Sequence, residues 1–338
     1  MEFVYTVMDQ GVRIDKVEEP EAVVMIPESL EGYPVVELGA YVLSGSGVEE
    51  VHLPSRLGKI GAYGFYGCQR LKRIYCYGRT LDLGAGLFAD AGNVEYLDLT
   101  LFAGEKSCFR EMLSELRQTL RVRVHMVEAS VDGAEVSVDG AEDGTKDRAE
   151  ARLIFPEYYE ESVENTPARI LFIETHGCGH RYRYCFANRE FQYRGYDEVF
   201  PHLKVQESEE LVTELALGRI LYPYELSERH EFMYREYVKE HWKTAGRLLI
   251  EADSWKRDMV TNLEPGGIGW LAEEFLETAQ QVKELTELAQ QAGDTEAVSR
   301  LMDFRHRRFG GAAEQYSEQK EETQEPTGTR RRTRRFEL

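Results

Sequence analysis

Hydrophobic residues in the first third of the chain recur in register. Val48, Val51 and Leu53 are followed by Leu71, Ile74 and Cys76, then by Val94, Leu97 and Leu99, each set 23 residues after the last (48 to 71 to 94). Within a set the spacing is apolar-x-x-apolar-x-apolar. The last two positions alternate, as in a short strand with one buried face. A second block recurs between the sets. Leu38-Gly39-Ala40-Tyr41-Val42-Leu43-Ser44-Gly45-Ser46 aligns with Ile60-Gly61-Ala62-Tyr63-Gly64-Phe65-Tyr66-Gly67-Cys68, and that with Leu83-Gly84-Ala85-Gly86-Leu87-Phe88-Ala89-Asp90-Ala91, at offsets of 22 (38 to 60) and 23 residues (60 to 83). One strand and one return per period predicts a stacked solenoid, in which no turn can bury its apolar face alone.

The alternation also predicts which side chains leave the core. With Val51/Leu53, Ile74/Cys76 and Leu97/Leu99 facing in, Glu50/His52, Arg73/Tyr75 and Tyr96/Asp98 face out. Equal offsets bring them into two ladders, Glu50–Arg73–Tyr96 and His52–Tyr75–Asp98, with neighbouring strands ~4.8 Å apart. This mixed polar and aromatic surface is the candidate partner-binding face.

Beyond the repeats the pattern changes. Met112, Leu113, Leu116 and Leu120 fall at helical spacing within Phe109–Leu120, and Val122–Met126 alternates as a last strand, so the array is expected to occupy 1–127. Residues 128–150 hold no aromatic residue and repeat Val131-Asp132-Gly133-Ala134-Glu135 as Val138-Asp139-Gly140-Ala141-Glu142. Such acidic, Gly- and Ala-rich composition predicts a disordered linker. Residues 151–310 read as a mainly helical domain, opened by a strand or buried segment at Ala168–Ile173. Ser208 is placed to cap a helix with Glu209 and Glu210 in its first turn. Further helices are expected in Ser227–Trp242, along Leu248, Ala252, Trp255 and Met259, and along Leu271, Phe275, Val282, Leu285 and Leu288. Gly293-Asp294 is expected to end that last helix and cap Thr295–Phe304, giving an antiparallel hairpin. Residues 311–338 read as a disordered tail with a basic end at Arg330, Arg331, Arg332, Arg334 and Arg335.

The repeat residues resemble one known family. Ile26-Pro27 and Leu53-Pro54, the Ile60–Cys68 block and then Leu71 and Ile74 are similar to the BspA-type leucine-rich repeat. Phe3-Val4-Tyr5, Gly11 and Val12-Arg13-Ile14 resemble the hairpin that opens such arrays, and Ile26-Pro27…Glu31-Gly32-Tyr33-Pro34-Val35-Val36 resembles its first repeat. Val42-Leu43 and Leu87-Phe88 depart from the family's Ala-Phe. The resemblance covers about residues 1–127. It implies a short leucine-rich repeat solenoid and a role in protein–protein interaction; with the mainly α-helical domain of antiparallel hairpins read for 151–310, the expected fold class is α/β. The Gly293-Asp294…Ala297-Val298…Leu301-Met302 turn is similar to ankyrin-like hairpins.

Composition narrows the function classes. A net charge of −20 argues against broad binding to nucleic-acid phosphates, and leaves the Arg-rich tail as a candidate for an anionic partner. Aliphatic runs such as Val23-Val24-Met25-Ile26 are too short for a membrane span. Met1-Glu2-Phe3-Val4 lacks the basic region and apolar core of a secretory signal, so a cytoplasmic location is expected. Five cysteines make no disulfide framework, and Cys68 and Cys76 occupy inward repeat positions.

The sharpest cluster of chemical groups is His176, Cys178, His180 and Cys185. It invites a zinc or a Cys–His nucleophile reading, but the H-x-C-x-H-x4-C spacing suits a closed tetrahedral site badly, and the expected metal and cofactor content is none. A Gly-rich turn followed by a packed aromatic segment accounts for the same residues. The chain has no G-x-x-x-x-G-K-[ST] loop, no G-x-S-x-G elbow and no H-E-x-x-H pair. The sequence therefore predicts a non-catalytic cytoplasmic interaction or scaffold protein with a protein partner. The alternative is a metal-binding protein or Cys/His enzyme centred on residues 174–185.

Overall fold

Alternation in the repeats becomes two sheets wound from one path. The computed structural model describes residues 1–127, 149–165, 170–251 and 266–321. β1 (Glu2–Met8) and β2 (Gly11–Glu18) form an opening antiparallel hairpin. The chain then supplies β3 (Val23–Met25), β4 (Ser29–Leu30), β5 (Tyr33–Leu38), β6 (Glu50–His52), β7 (Lys59–Ile60), β8 (Arg73–Tyr77), β9 (Asp82–Leu83) and β10 (Tyr96–Phe102). After a helix at Phe109–Glu115 come β11 (Leu120–Val127) and β12 (Ala149–Phe155). One sheet runs β1-β2-β5-β7-β9, with β4 beside β5, and the other β3-β6-β8-β10-β11-β12. The stacked turns pair in parallel; β12 closes the second sheet antiparallel to β11. The inward positions Val51, Ile74, Leu97 and Val122 are fully buried, and the Phe65 and Phe88 rings stack at 5.4 Å beneath the return loops.

The Gly-Ala block explains how closely the turns approach. The N–H of Gly61 donates to Leu38 O at 2.7 Å, and that of Gly84 to Ile60 O at 2.8 Å. A Cβ at Gly61 would fall on the Ala40 backbone, and one at Gly84 on the Ala62 backbone, well inside van der Waals contact. From there the return loops are laced together. Tyr41, Leu43 and Gly45 donate to the carbonyls of Ala62, Gly64 and Tyr66, and Tyr63, Phe65 and Gly67 to those of Ala85, Leu87 and Ala89. The equivalent residues Tyr41, Tyr63 and Gly86 have φ of +60°, +57° and +64°. A tyrosine there costs about 1–2 kcal/mol of backbone strain. Stacking of the Tyr41 and Tyr63 rings at 5.2 Å offsets part of that cost.

Residues 149–155 join the repeat sheet, so the array does not end at its expected last strand, Val122–Met126. Ala151, Leu153 and Phe155 are fully buried there, and the Tyr196 hydroxyl accepts from Ile154 N and donates to Ile154 O, both at 2.8 Å. The linker expected at 128–150 lies outside the described residues except for 149 and 150, which begin β12. By contacts the chain divides into Met1–Val238 and Lys239–Leu338, a different division from that read in the composition. The reason is that the elements after β12 pack on the array's end. Buried Arg183, for example, donates to the carbonyls of Leu116, Gln118, Pro156 and Gly179, and burial pushes its pKa down to about 10.

Helices follow at Tyr193–Glu198, Phe200–Gln206, Glu209–Leu221 and Glu228–Glu240. Ser208 caps the third as expected, its Oγ accepting from Leu211 N at 3.3 Å. Fully buried Asp197 ties three of these helices together. It accepts both arms of Arg219, at 2.8 and 3.0 Å, and the Tyr234 hydroxyl at 2.8 Å.

The second unit holds helices Trp242–Ile250, Gly267–Phe275, Ala279–Ala292 and Thr295–Glu321. The apolar series Leu271 to Leu288, expected as one helix, is two. Thr278 and Gln281 form a capping box that starts a new helix within the unbroken hydrophobic rhythm. Gly293 at φ +73° ends it, and Asp294 Oδ1 accepts from Ala297 N at 2.9 Å to open the next, completing the expected hairpin. The last helix continues past 310, where the tail was expected to begin. Trp255, Met259 and the arginines at 330–335 lie outside the described residues.

Replacing Gly61 or Gly84 with Ala is expected to destabilise the protein by at least about 1–3 kcal/mol, because the new methyl meets backbone. Gly47→Ala and Gly92→Ala, where a Cβ meets nothing within 4 Å, are expected to stay within about 0.5 kcal/mol. Urea unfolding midpoints of the four variants check this contrast.

Candidate interaction face

Three short strands place the six outward residues read from the sequence. In the register, Glu50 pairs with Arg73 and Arg73 with Tyr96, while His52 pairs with Tyr75 and Tyr75 with Asp98. All six are half-buried, standing between the fully buried Val51, Ile74 and Leu97 positions. Neighbours hold each other in place along the ladders. His52 Nε2 lies 2.7 Å from a Glu50 carboxylate oxygen, and its ring stacks on Tyr75 at 4.1 Å and 4° between planes. Arg73 lies over the Tyr96 ring at 5.0 Å. Burial, and then the carboxylates of Glu50 and Asp98, raise the Tyr75 pKa above its ordinary value, so its hydroxyl stays protonated at neutral pH.

The same ladders run on through β11 and β12. Arg121 pairs with Tyr96, Arg123 with Asp98 and His125 with Thr100, and Arg123 then pairs with Arg152 across to β12. Carboxylates interleave with these cations. Asp98 lies 3.1 Å from His125, and Glu150 accepts from Arg123 at 3.1 Å and Arg152 at 2.7 Å. Burial works against the charge on Arg123, yet Glu150 and Asp98 together raise its pKa.

The helix Glu209–Leu221 covers this end of the face. Its Glu214, with a side chain only 2 % exposed, accepts two hydrogen bonds from Arg121 at 2.6 and 2.8 Å. Gly218 sits against the Arg152 backbone, and the Tyr222 ring lies 4.6 Å from the Arg152 guanidinium. At the opposite end β3 is open, with Val23 and Met25 at 47 % and 63 % exposure. The face is therefore closed by the chain's own helix over its last rungs and open over β3, β6, β8 and β10.

Sequence reasoning missed Arg121, Arg123, His125 and Arg152 as members of the ladders. The signal for the first three was present, since the alternation of Val122 and Val124 puts their neighbours outward. Arg152 lies beyond the segment 128–148, and its strand pairs antiparallel, so no repeat offset leads to it.

The 174–185 segment is split between separate elements. His176 ends the strand Ile170–His176, stacks on Tyr159 at 4.7 Å and lies 3.6 Å from Glu161. Cys178 precedes the helix Gly179–Arg183; burial and then Glu207 push its pKa up to about 11. His180 packs between the rings of Tyr158 and Tyr184, and burial pushes Cys185 up to about 12. Among the described residues no three His, Cys, Asp or Glu side chains gather in a metal-holding cluster. Both thiols are held in the protonated form, which is the unreactive one.

A leucine-rich repeat protein from Bacteroides capillosus is 19 % identical, with 29 % of this chain and 67 % of that one covered and a TM-score of 0.21. The T. pallidum leucine-rich repeat protein is 19 % identical over 30 % of this chain and 68 % of that one, with a TM-score of 0.24. A leucine-rich cell surface protein from Faecalibacterium prausnitzii is 16 % identical over 36 % and 40 %, also with a TM-score of 0.24. No family model and no curated protein matches the chain. The fold is a leucine-rich repeat solenoid followed by helices, as its own two-sheet, 22- to 23-residue repeat shows.

The Arg121–Glu214 pair is expected to hold the covering helix to the sheet. In a double-mutant cycle with Arg121→Ala and Glu214→Ala, each single substitution should cost about 3 kcal/mol, with a coupling of about 1–3 kcal/mol. Additive losses in urea unfolding are the contrary result, and would show that the Arg121–Glu214 pair does not hold the helix to the sheet.

Proposed function

We propose that the protein is a non-catalytic interaction scaffold, and that Glu50, His52, Arg73, Tyr75, Tyr96 and Asp98 form the surface that receives a protein partner. The observation that carries this reading is the occupied end of the same face. There Arg121 of the face donates twice to Glu214 of the chain's own helix, and Arg152 of the face lies against the Tyr222 ring that ends that helix. The open rungs likewise offer an arginine, Arg73, beside acidic and aromatic side chains already packed against one another. Little rotamer freedom is then lost when a partner docks. Tyr and Arg are also the residues that most often anchor interfaces. A cytoplasmic location is part of the proposal; five cysteines, all free and all buried, support a reducing compartment.

Affinity capture with the full chain from its source cells tests the reading. A partner recovered with the wild type should fall by at least about tenfold with the Tyr75→Ala/Tyr96→Ala pair. It should persist with Tyr66→Ala, an exposed tyrosine on the return loops. Unchanged recovery with the pair, while both variants keep the wild-type unfolding midpoint, places the binding surface elsewhere.

A further inference from the structure

Among the described residues, the outer edges of the two large sheets are protected in different ways, and one edge of a smaller sheet is not. β1 lies against a bulge that Asp15 makes in β2, opposite Val4 and Tyr5. β3 is three residues long and sits between Pro20 and Pro27, and β9 has only two residues. β12 has its outer N–H and C=O at Ile154 taken by Tyr196. Among the described residues, the strands Tyr159–Asn165 and Ile170–His176 pair only with each other, in a two-stranded antiparallel sheet. The first carries Glu160, Glu161 and Glu164, charges that deter another strand. The second runs Ile170-Leu171-Phe172-Ile173 with no charge before Glu174. Leu171, Phe172 and Ile173 are 67 %, 39 % and 65 % exposed. An isolated two-stranded ribbon is marginal in water, and an uncharged β-branched and aromatic edge is a template for strand addition.

We propose that this edge pairs with the same edge of a second copy, giving a four-stranded sheet across a two-fold axis. The apolar run is self-complementary. An antiparallel pairing centred on Phe172 sets Leu171 of each copy opposite Ile173 of the other on one face, and the two Phe172 side chains together on the other. Glu174 falls opposite residue 170, so the pairing brings no two carboxylates face to face. The charge pattern also fixes the end of growth. Both outer edges of the four-stranded sheet are the strand that carries Glu160, Glu161 and Glu164, so assembly closes at two copies, as an isologous contact does.

Sedimentation velocity of the full chain over about a hundredfold dilution series tests this. A dimer that dissociates on dilution is expected. Phe172→Lys and Ile173→Lys should each raise the dissociation constant at least about a hundredfold, since each enters the symmetric sheet twice. Both sites are exposed, so the fold should survive, and an unchanged unfolding midpoint verifies that. A second measurement fixes the edge. Opposed residues of an antiparallel pair approach within disulfide range, and the five native cysteines are buried. Phe172→Cys should therefore oxidise to a covalent dimer and Glu161→Cys should not. A wild type that sediments as a monomer throughout overturns the proposal and assigns the edge to a strand of another protein. Species larger than a dimer, or equal cross-linking through Glu161→Cys, overturn it as well.

Discussion

Everything in the repeat array depends on how closely one turn can lie on the next. The limit is set where the short strands pass into the return loops. Gly61 and Gly84 bring backbone against backbone there, with no room for a Cβ. Hydrogen bonds from one return loop to the next then hold the spacing along the opposite side. With that pitch fixed, Val51, Ile74, Leu97 and Val122 stack into a dry interior, and their neighbours stack into ladders on the outside. The outer face is thus a by-product of the interior. Its residues are free to vary in chemistry, while their spacing is imposed by the strands.

This dependence explains what could be read from the chain. Equal offsets of 23 residues mean equal positions on successive turns, so the pairing of Glu50 with Arg73, and of Arg73 with Tyr96, followed from counting. Local chemistry was equally legible where a cap is written in adjacent residues, as at Ser208 and at Gly293-Asp294. Long-range closure was not. β12 pairs antiparallel with β11 across the 128–148 segment, and neither period nor spacing predicts that. The Thr278 capping box was hidden for a different reason. The apolar rhythm continues through Leu276 into Val282, so hydrophobicity alone gives one helix where capping chemistry makes two.

The 174–185 segment shows how a close run of donor residues is divided when elements change within it. Two His and two Cys in ten residues look like a donor set only while the segment is imagined as one piece. A strand ends at His176, Gly177 turns at φ +91°, and a helix begins at Gly179. The four side chains are then spent on ring stacking and burial. The buried polar groups that matter to this region are Arg183 and Asp197, which look like ordinary surface charges in sequence. Arg183 is satisfied by the nearby Gly179 carbonyl and by the distant carbonyls of Leu116, Gln118 and Pro156, and Asp197 by the distant Arg219 and Tyr234.

These buried groups bear on the outer face, because they orient the helix that covers part of it. Arg219 and Glu214 lie on the same helix, the first locked to Asp197 and the second to Arg121. Losing solvent from a carboxylate as buried as Glu214 is costly, and two short hydrogen bonds from one guanidinium offset that cost only if the geometry is held. The Asp197 clasp supplies that hold from the far side of the helix. The partner proposed for the open rungs would have no such clasp, and would gain its affinity from groups already arranged. The stacked His52 and Tyr75 rings and the Arg73 guanidinium over Tyr96 are arranged in that sense, each fixed by a neighbour on the adjoining rung. The contrast separates the two ends of one surface. At the closed end buried charge is made tolerable by structure behind it, and at the open end half-exposed aromatic and charged groups are ready to be desolvated.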